Sequence, residues 1–207
     1  MIKLLPIVEG QGEVEAVPLL LRNIVEQMER WDVVIERPMN SHGKPNLTRE
    51  EGIERFLQLG RRKGISGILV LLDADKDCAR SLAEELAARS RSLKLEIPIA
   101  IVCANRCYEA WFLASMETIA GKALKGTPGL PPDCRYDEPP EERINPKTWI
   151  TEQLSNQLYK ETVHQAPLST LIDIRLASER SRSFRRLVHG LEQLLDAIET
   201  GTSAVTP

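Results

Sequence analysis

Hydrophobic positions in the first 121 residues follow two alternating patterns. Residues 4–8, 67–72 and 97–104 are almost entirely apolar, which is typical of parallel strands covered by helices on both faces. Residues 33–35 form a shorter apolar run that we interpret as one more strand. Between these runs, apolar residues recur three and four positions apart, as on one face of a helix. The pattern predicts an α/β domain over residues 1–121, with a four-stranded, mainly parallel sheet and helices on both faces.

The rest of the chain has a different pattern. Residues 125–146 hold six of the thirteen prolines. We predict that residues 122–146 form a Pro/Gly-rich loop, since proline and glycine interrupt regular structure. Helical spacing returns over residues 147–198, which we predict to be a helical segment packed on the α/β domain. Residues 199–207 are predicted to be a flexible tail.

Composition places the chain among ordinary soluble proteins. Hydrophobic residues make up 42% and charged residues 28%, and no apolar run approaches the roughly 18–20 residues of a membrane helix. The four cysteines form no CxxC pair, so neither a zinc site nor disulfides are indicated, and reduced thiols favour a cytoplasmic location. The net charge is −3, but residues 143–190 carry eight Lys or Arg against four Asp or Glu. We expect nucleic-acid contacts on that basic segment.

Acidic residues follow three of the four predicted strands. Glu9 follows the first strand, Asp73 and Asp75 follow the third, and Glu109 comes shortly after the fourth. Open α/β sheets bind ligands at the carboxyl ends of their strands, so these side chains should gather at one edge. Gathered carboxylates repel one another unless a cation neutralises them, and oxygen ligands favour Mg²⁺ or Mn²⁺. Because residues two apart in extended chain point the same way, Asp73 and Asp75 can share one ion or bridge two.

Simpler explanations for these residues stay open. Asp73 and Asp75 can instead cap a helix or lie in a solvated loop. Glu13 and Glu15 are expected to be solvated acids in the first turn of a helix, where the dipole favours them. The GQG sequence at residues 10–12 is short of the third glycine of a dinucleotide-binding turn, so we interpret it as a sharp turn beside the metal site.

Two motifs carry a resemblance to a known domain. A strand ending in Glu9-Gly10, followed by a helix, and a later apolar strand ending in Asp73-Ala74-Asp75 resemble the Toprim domain of topoisomerases, primases and overcoming-lysogenization-defect nucleases. Nearly the whole chain is similar to a Toprim-like bacterial family labelled domain of unknown function 4276. The segments that carry this wider match are EGQGE, YEAWFLAS, NPKTW, YKETVHQA and SFRRL, at residues 9–13, 108–115, 145–149, 159–166 and 183–187.

This resemblance implies roles for individual residues. By similarity, Glu9, Asp73 and Asp75 take the acidic catalytic and metal-binding roles, and Glu109 is an additional metal ligand. Arg185 is added from the basic segment itself as a residue that binds substrate phosphates. Cations at positions that match the family are expected to form a basic, substrate-binding wall of the site: Lys147, Lys160, Arg175 and Arg186.

We therefore predict a Mg²⁺- or Mn²⁺-dependent nuclease, or another phosphoryl-transfer enzyme acting on nucleic acid. The resemblance also implies a role in phage defence with an ATPase partner, because the family is often associated with such genes. The alternative is a non-catalytic subunit that binds nucleic acid or an ATPase and retains the metal site. The expected partners are thus nucleic acid and an ATPase. We expect no association with a membrane, and a homodimer is left open.

Overall fold

The computed structural model of the chain describes residues 1–62, 64–124, 129–154 and 157–207. The described strands are β1 (Ile2–Val8), β2 (Val33–Ile35), β3 (Met39–Asn40), β4 (Gly67–Asp73), β5 (Ile99–Ala104) and β6 (Val205–Thr206). They form one sheet in the order β2-β1-β4-β5-β6, and β3 also pairs with β1. Every described pairing is parallel.

The sheet has six described strands, whereas the hydrophobic pattern predicted four. The two additional strands, β3 and β6, have two residues each, too few to produce a recognisable run or alternation. β6 lies in the stretch 199–207, which the sequence assigns to a flexible tail, and it pairs with Ile99 and Ala100 of β5. The broader prediction is confirmed, since the fold is α/β with a mostly parallel sheet flanked by helices.

Helices fill the connections between strands and cover both faces of the sheet. Among the described residues, none of these helices combines the length and apolar composition needed to cross a membrane. Part of the predicted Pro/Gly-rich loop, residues 125–128, lies outside the described residues. The described helices are α1 (Gln11–Gln27), α2 (Pro45–Thr48), α3 (Gly52–Gly60), α4 (Ala79–Ser92), α5 (Ala110–Ala114), α6 (Met116–Ile119), a 3₁₀ turn (Pro140–Glu142), α7 (Pro146–Gln153), a π-helical turn (Glu161–Gln165), α8 (Ala166–Ser169), α9 (Ile174–Arg180) and α10 (Arg182–Thr200).

The sheet separates two apolar layers. Alternate residues of β4 point to opposite faces: Leu69 and Leu71 enter a layer built with α1 and α10, while Ile68 and Val70 enter a layer built with α3 and α4. Both faces of β4 are therefore buried, which explains its continuous apolar sequence. The first layer also holds the fully buried Trp111, so the segment that follows β5 is anchored in the core.

The strand order changes direction at β1. The chain leaves β1 through α1 to β2 on one side of it, and later places β4 on the other side. β1 and β4 are in register, with Val8 opposite Leu71, so the two strands end at the same edge of the sheet. Open α/β sheets bind ligands in the crevice at such a switch point. Glu9 follows β1 and Asp73 ends β4 at this place.

Candidate metal centre

Glu9 and Asp73 are connected by a hydrogen bond between backbone and side chain at the carboxyl ends of β1 and β4. The Asp73 backbone N–H donates to Glu9 Oε2 at 3.2 Å. Asp73 Oδ1 in turn accepts from the backbone N–H of Tyr108, in the loop after β5, at 2.9 Å. Three neighbouring strands therefore fix the orientation of two carboxylates, as the sequence predicted for the ends of adjacent parallel strands.

Glu13 contributes a further carboxylate, and its predicted role as a solvated acid is wrong. It lies in the first turn of α1, and only 5% of its surface is exposed. Glu13 Oε2 accepts from the backbone N–H groups of Glu9 at 2.7 Å and Gly10 at 2.8 Å. Reaching back to the start of its own helix places the Glu13 side chain beside Glu9. The signal in the sequence was the glutamate three residues after Gly10, as in a capping box. Glu15 is exposed, as predicted.

Glu109 is completely buried at the same site. Tyr159 donates its hydroxyl to Glu109 Oε1 at 2.9 Å. Glu109 Oε2 has no hydrogen-bond partner among the described residues, although Lys147 Nζ lies 3.8 Å from it. Lys147 also pairs with Glu161 of the π-helical turn. A buried carboxylate oxygen without a hydrogen-bond donor is costly, so a cation bound close to Glu109 would be stabilising.

These side chains line one small cavity, which we call the acidic pocket. Its volume is about 60 Å³, the space of roughly two water molecules. Gln165 Oε1, on its wall, is a second buried acceptor without a hydrogen-bond partner in the described structure. Gly12 permits the closure, because a Cβ there would lie 2.8 Å from the Glu161 Cβ. The lining residues are Glu9, Gly10, Gly12, Glu13, Asp73, Glu109, Lys147, Glu161 and Gln165.

Crowding of the acids changes their affinity for protons. Burial, together with the charge of Glu9, raises the pKa of Glu13 from 4.5 to about 8. Burial and the charges of Glu13 and Glu109 raise the pKa of Asp73 well above its usual value. Burial disfavours the charge of Lys147, yet Glu109 and Glu161 raise its pKa above the ordinary range. One ammonium therefore faces several acids, and full ionisation of the pocket requires another cation.

The donor atoms fit a divalent cation. Ligand atoms of Asp73, Cys107 and Glu109 all lie within 4.8 Å of one another. Carboxylate oxygens are ligands of hard ions such as Mg²⁺ and Mn²⁺, and a thiol adds affinity for softer ions. The sequence predicted oxygen ligands only, and the buried Cys107 is an additional donor atom that no motif indicated. The orphaned Glu109 Oε2 and the size of the pocket agree with one small ion.

Asp75 does not line the acidic pocket. The chain turns into the left-handed region at Asp75, where φ is 54°, and its side chain is 59% exposed. Lys44 Nζ lies 3.2 Å from Asp75 Oδ2 and 2.8 Å from Asp77 Oδ2, and it donates to Ala74 O at 2.6 Å. The catalytic and metal-binding role of Asp75 stays a prediction, and in this structure its cation is an ammonium.

Most of the cations predicted to form a basic wall do not line the acidic pocket. Of the five predicted substrate-binding cations, Lys147 lines the acidic pocket. Lys160, Arg175 and Arg185 are exposed and do not line this pocket, and Arg175 pairs with a neighbouring glutamate on its own helix. Arg186 is partly buried against the end of β6, where it donates to Pro207 O. Substrate binding by these residues stays a prediction.

Comparisons with known proteins give a family and one remote structural likeness. A family model described as Domain of unknown function (DUF4276) matches residues 8–192. The chain is similar to a solved structure, the C-terminal region of the Burkholderia pseudomallei OLD protein, at 14% sequence identity and a TM-score of 0.44. That similarity covers 96% of this chain and 99% of the other. No curated protein matches the chain.

Proposed function

The chain belongs to the DUF4276 family, and from this premise we propose that it is a Mg²⁺- or Mn²⁺-dependent, Toprim-like nuclease acting on phosphodiesters of nucleic acid. The observation that carries the proposal is the acidic pocket. Four carboxylates, those of Glu9, Glu13, Asp73 and Glu109, line one small cavity at the switch point of a parallel sheet. An orphaned carboxylate oxygen inside it calls for a cation.

Different residues of the site would bind the cation and the phosphate. The cation would be held by the carboxylates of Glu9, Glu13, Asp73 and Glu109. Backbone N–H groups already orient the first three, and the Tyr159 hydroxyl orients the fourth. When bound, a divalent cation polarises a phosphoryl oxygen. Lys147 is 44% exposed and stands beside the buried Glu109, so its ammonium is positioned to bind a phosphate oxygen arriving from solvent.

The pocket volume sets the position of the substrate. About 60 Å³ accommodates an ion and not a nucleotide. A substrate phosphate would therefore bind outside the acidic pocket, on the side where Lys147 is exposed. The ionised carboxylates would repel this phosphate, and a divalent cation held by them would offset the repulsion. Glu13 adds little to the repulsion at neutral pH, because burial raises its pKa to about 8.

A pair of measurements tests the proposal. Mn²⁺ binding by calorimetry and cleavage of plasmid DNA and structured RNA should both be present in the wild type. Asp73→Asn should weaken Mn²⁺ binding by more than about tenfold, as expected when a metal site loses a ligand, and should abolish cleavage. Glu15→Gln, an exposed acid on the same helix as Glu13, should change neither. Absence of Mn²⁺ binding in the wild type, or unimpaired cleavage by Asp73→Asn, would contradict the proposal.

The alternative is a non-catalytic subunit that binds nucleic acid or an ATPase. One observation favours it: Lys44 already neutralises Asp75 and Asp77, so the second aspartate of the Asp-x-Asp motif is withdrawn from the acidic pocket. Mn²⁺ binding without cleavage of either substrate, also after addition of the ATPase partner, would select this alternative. A role in phage defence alongside such a partner is part of the proposal and is supported by the family resemblance alone.

A further inference from the structure

Gln165 is a buried amide on the wall of the acidic pocket, which it shares with the carboxylates of the site. Only 3% of its surface is exposed, and it is the last residue of the π-helical turn. Turns of this kind are rare and recur at functional sites. Among the described residues, neither Gln165 Oε1 nor Glu109 Oε2 has a hydrogen-bond partner. Two side chains that line one small cavity therefore each carry a buried acceptor without a donor, which is costly unless a ligand compensates it.

The position of Gln165 is fixed from two sides. Its backbone carbonyl accepts from the Ser169 hydroxyl at 2.7 Å, and Ser169 Oγ lies 2.8 Å from the Tyr108 hydroxyl. Tyr108 in turn donates its backbone N–H to Asp73 Oδ1. On the other side, a Cβ at Gly12 would collide with Gln165 Oε1, so the amide oxygen packs against the first turn of α1. A buried hydrogen-bond network therefore holds Gln165 in place relative to Asp73, as a metal ligand requires.

An amide oxygen suits this position chemically. Side-chain carbonyls of Asn and Gln bind hard divalent cations together with carboxylates. Five acidic side chains and one lysine of the described structure line the pocket, so one more carboxylate would add to their repulsion. A neutral amide increases the number of oxygen ligands without increasing the negative charge.

On the basis of the metal site proposed above, we propose that Gln165 Oε1 is a neutral ligand of the cation, and that the cation thereby links the π-helical turn to the sheet. Glu9 and Asp73 lie at the ends of β1 and β4, whereas Gln165 belongs to the C-terminal helical segment. Residues 161–163 of the turn are exposed. An ion bound by both parts of the chain would restrain this turn, so cation binding and ordering of the turn are coupled.

Two rival arrangements would also satisfy the amide. In the first, the Gln165 amide is rotated by half a turn, so that its N–H groups donate to a carboxylate of the pocket. In the second, the Glu13 carboxyl, protonated at neutral pH because burial raises its pKa to about 8, donates to Gln165 Oε1. Both rivals give Gln165 a partner within the protein, so its loss would destabilise the metal-free protein. The ligand role predicts the opposite, because removal of an unpartnered buried acceptor is stabilising.

Gln165→Met tests the proposal, since methionine is similarly long and unbranched and its thioether is a poor ligand of Mn²⁺. In calorimetry, this variant should bind Mn²⁺ about tenfold more weakly than the wild type. In EDTA at pH 7, its melting temperature should equal or exceed that of the wild type. Gln165→Glu restores an oxygen ligand and should bind Mn²⁺ more tightly than Gln165→Met. Gln153→Met is the matched control, because Gln153 does not line the pocket, and it should bind Mn²⁺ as the wild type does.

Hydrogen exchange measures the link between the cation and the turn. The backbone N–H groups of Val163 and His164 donate to Lys160 O, so their exchange reports opening of the turn. Mn²⁺ should slow this exchange in the wild type and slow it less in Gln165→Met.

Several results would overturn the inference. Equal Mn²⁺ affinity of Gln165→Met and the wild type would assign the amide oxygen to a bound water. A melting temperature of Gln165→Met in EDTA below that of the wild type would indicate a partner within the protein. Exchange in the turn that Mn²⁺ does not slow would exclude the link to the sheet. These results would leave the proposed nuclease intact, because Asp73→Asn tests the carboxylates separately, whereas absence of Mn²⁺ binding by the wild type would contradict both.

Discussion

Glu13→Gln removes an ionisable carboxyl from the acidic pocket and keeps an oxygen for the backbone N–H groups of Glu9 and Gly10. Without metal, this substitution should stabilise the protein at alkaline pH. The reason is the pKa of Glu13, which burial and the charge of Glu9 raise from 4.5 to about 8. Each raised acid costs folding free energy wherever its unfolded form is ionised.

The sign and size of the effect follow from this pKa. Below about pH 4.5 the carboxyl is protonated in both states, and no penalty exists. As pH rises, the Glu13 carboxyl ionises first in the unfolded state, and this ionisation stabilises the unfolded state relative to the folded one. The penalty stops growing above about pH 8, where the carboxyl ionises in the folded state as well. At about 1.4 kcal/mol for each pH unit between the two pKa values, the full penalty is about 5 kcal/mol. At pH 5 it is about 1 kcal/mol.

Urea unfolding in EDTA at pH 5 and pH 8.5 measures this difference. Wild type and Glu13→Gln should be of similar stability at pH 5, and the variant should be more stable by several kcal/mol at pH 8.5. Saturating Mn²⁺ should stabilise the wild type more than the variant, by mass action. Glu15→Gln is the control, since Glu15 lies on the same helix and is exposed, and it should follow the wild type at both pH values.

Two outcomes would refute this reasoning. If wild type and Glu13→Gln lose stability in parallel as pH rises, Glu13 is not the group that is forced to ionise in the pocket. If the variant is less stable than the wild type at both pH values, the hydrogen bonds to Glu9 and Gly10 contribute more than the buried charge costs. Glu13 would then be a helix-capping residue and not a member of the metal centre.

Three further substitutions test neighbouring charges. Lys147→Met leaves Glu109 buried without a cation and should cost about 1–3 kcal/mol in urea unfolding, less than a fully buried pair because Lys147 is partly exposed; no loss would remove Lys147 from the centre. Co²⁺ should give a sulfur-to-metal charge-transfer band that Cys107→Ser abolishes, and an unchanged band would exclude the thiol as a ligand. Lys44→Met frees Asp75 and should raise the number of Mn²⁺ ions bound in paramagnetic resonance titrations, and an unchanged number would exclude Asp75 as a ligand.

Strands were predictable from the sequence in proportion to their length and burial. β1, β4 and β5 have six or seven residues and are mostly or entirely buried, so each contains an unbroken apolar run of at least five residues. β3 and β6 have two residues each. Which strands they pair with depends on the tertiary contacts of the chain before and after them. A local sequence pattern contains no information about those contacts. The α/β class was therefore predictable, and the number of strands was not.

Asp75 does not line the acidic pocket and Glu13 does, and both placements have a local physical cause. The prediction placed Asp73 and Asp75 on one side because it assumed extended chain. β4 ends at Asp73, and Asp75 has a φ of 54°, so the alternation of an extended strand ends before it reaches Asp75. Glu13 was assigned to solvent from its place in a first helical turn, but a glutamate there can fold back over the helix start. Glu9 and Asp73 lie at the acidic pocket because the ends of β1 and β4 determine their positions, and Glu109 reaches it from the segment between β5 and α5. The metal-binding and catalytic roles of these residues stay predictions.

The closing side of the pocket comes from a distant part of the chain, which limits what any local pattern can reveal. Lys147, Glu161 and Gln165 belong to the helical segment, more than a hundred residues after Glu9. A glycine inside α1 is consistent with the close approach of another segment, and a Cβ at Gly12 would meet Glu161. It does not record which segment approaches. A glycine within a helix at a candidate site therefore marks a contact whose partner only the fold identifies.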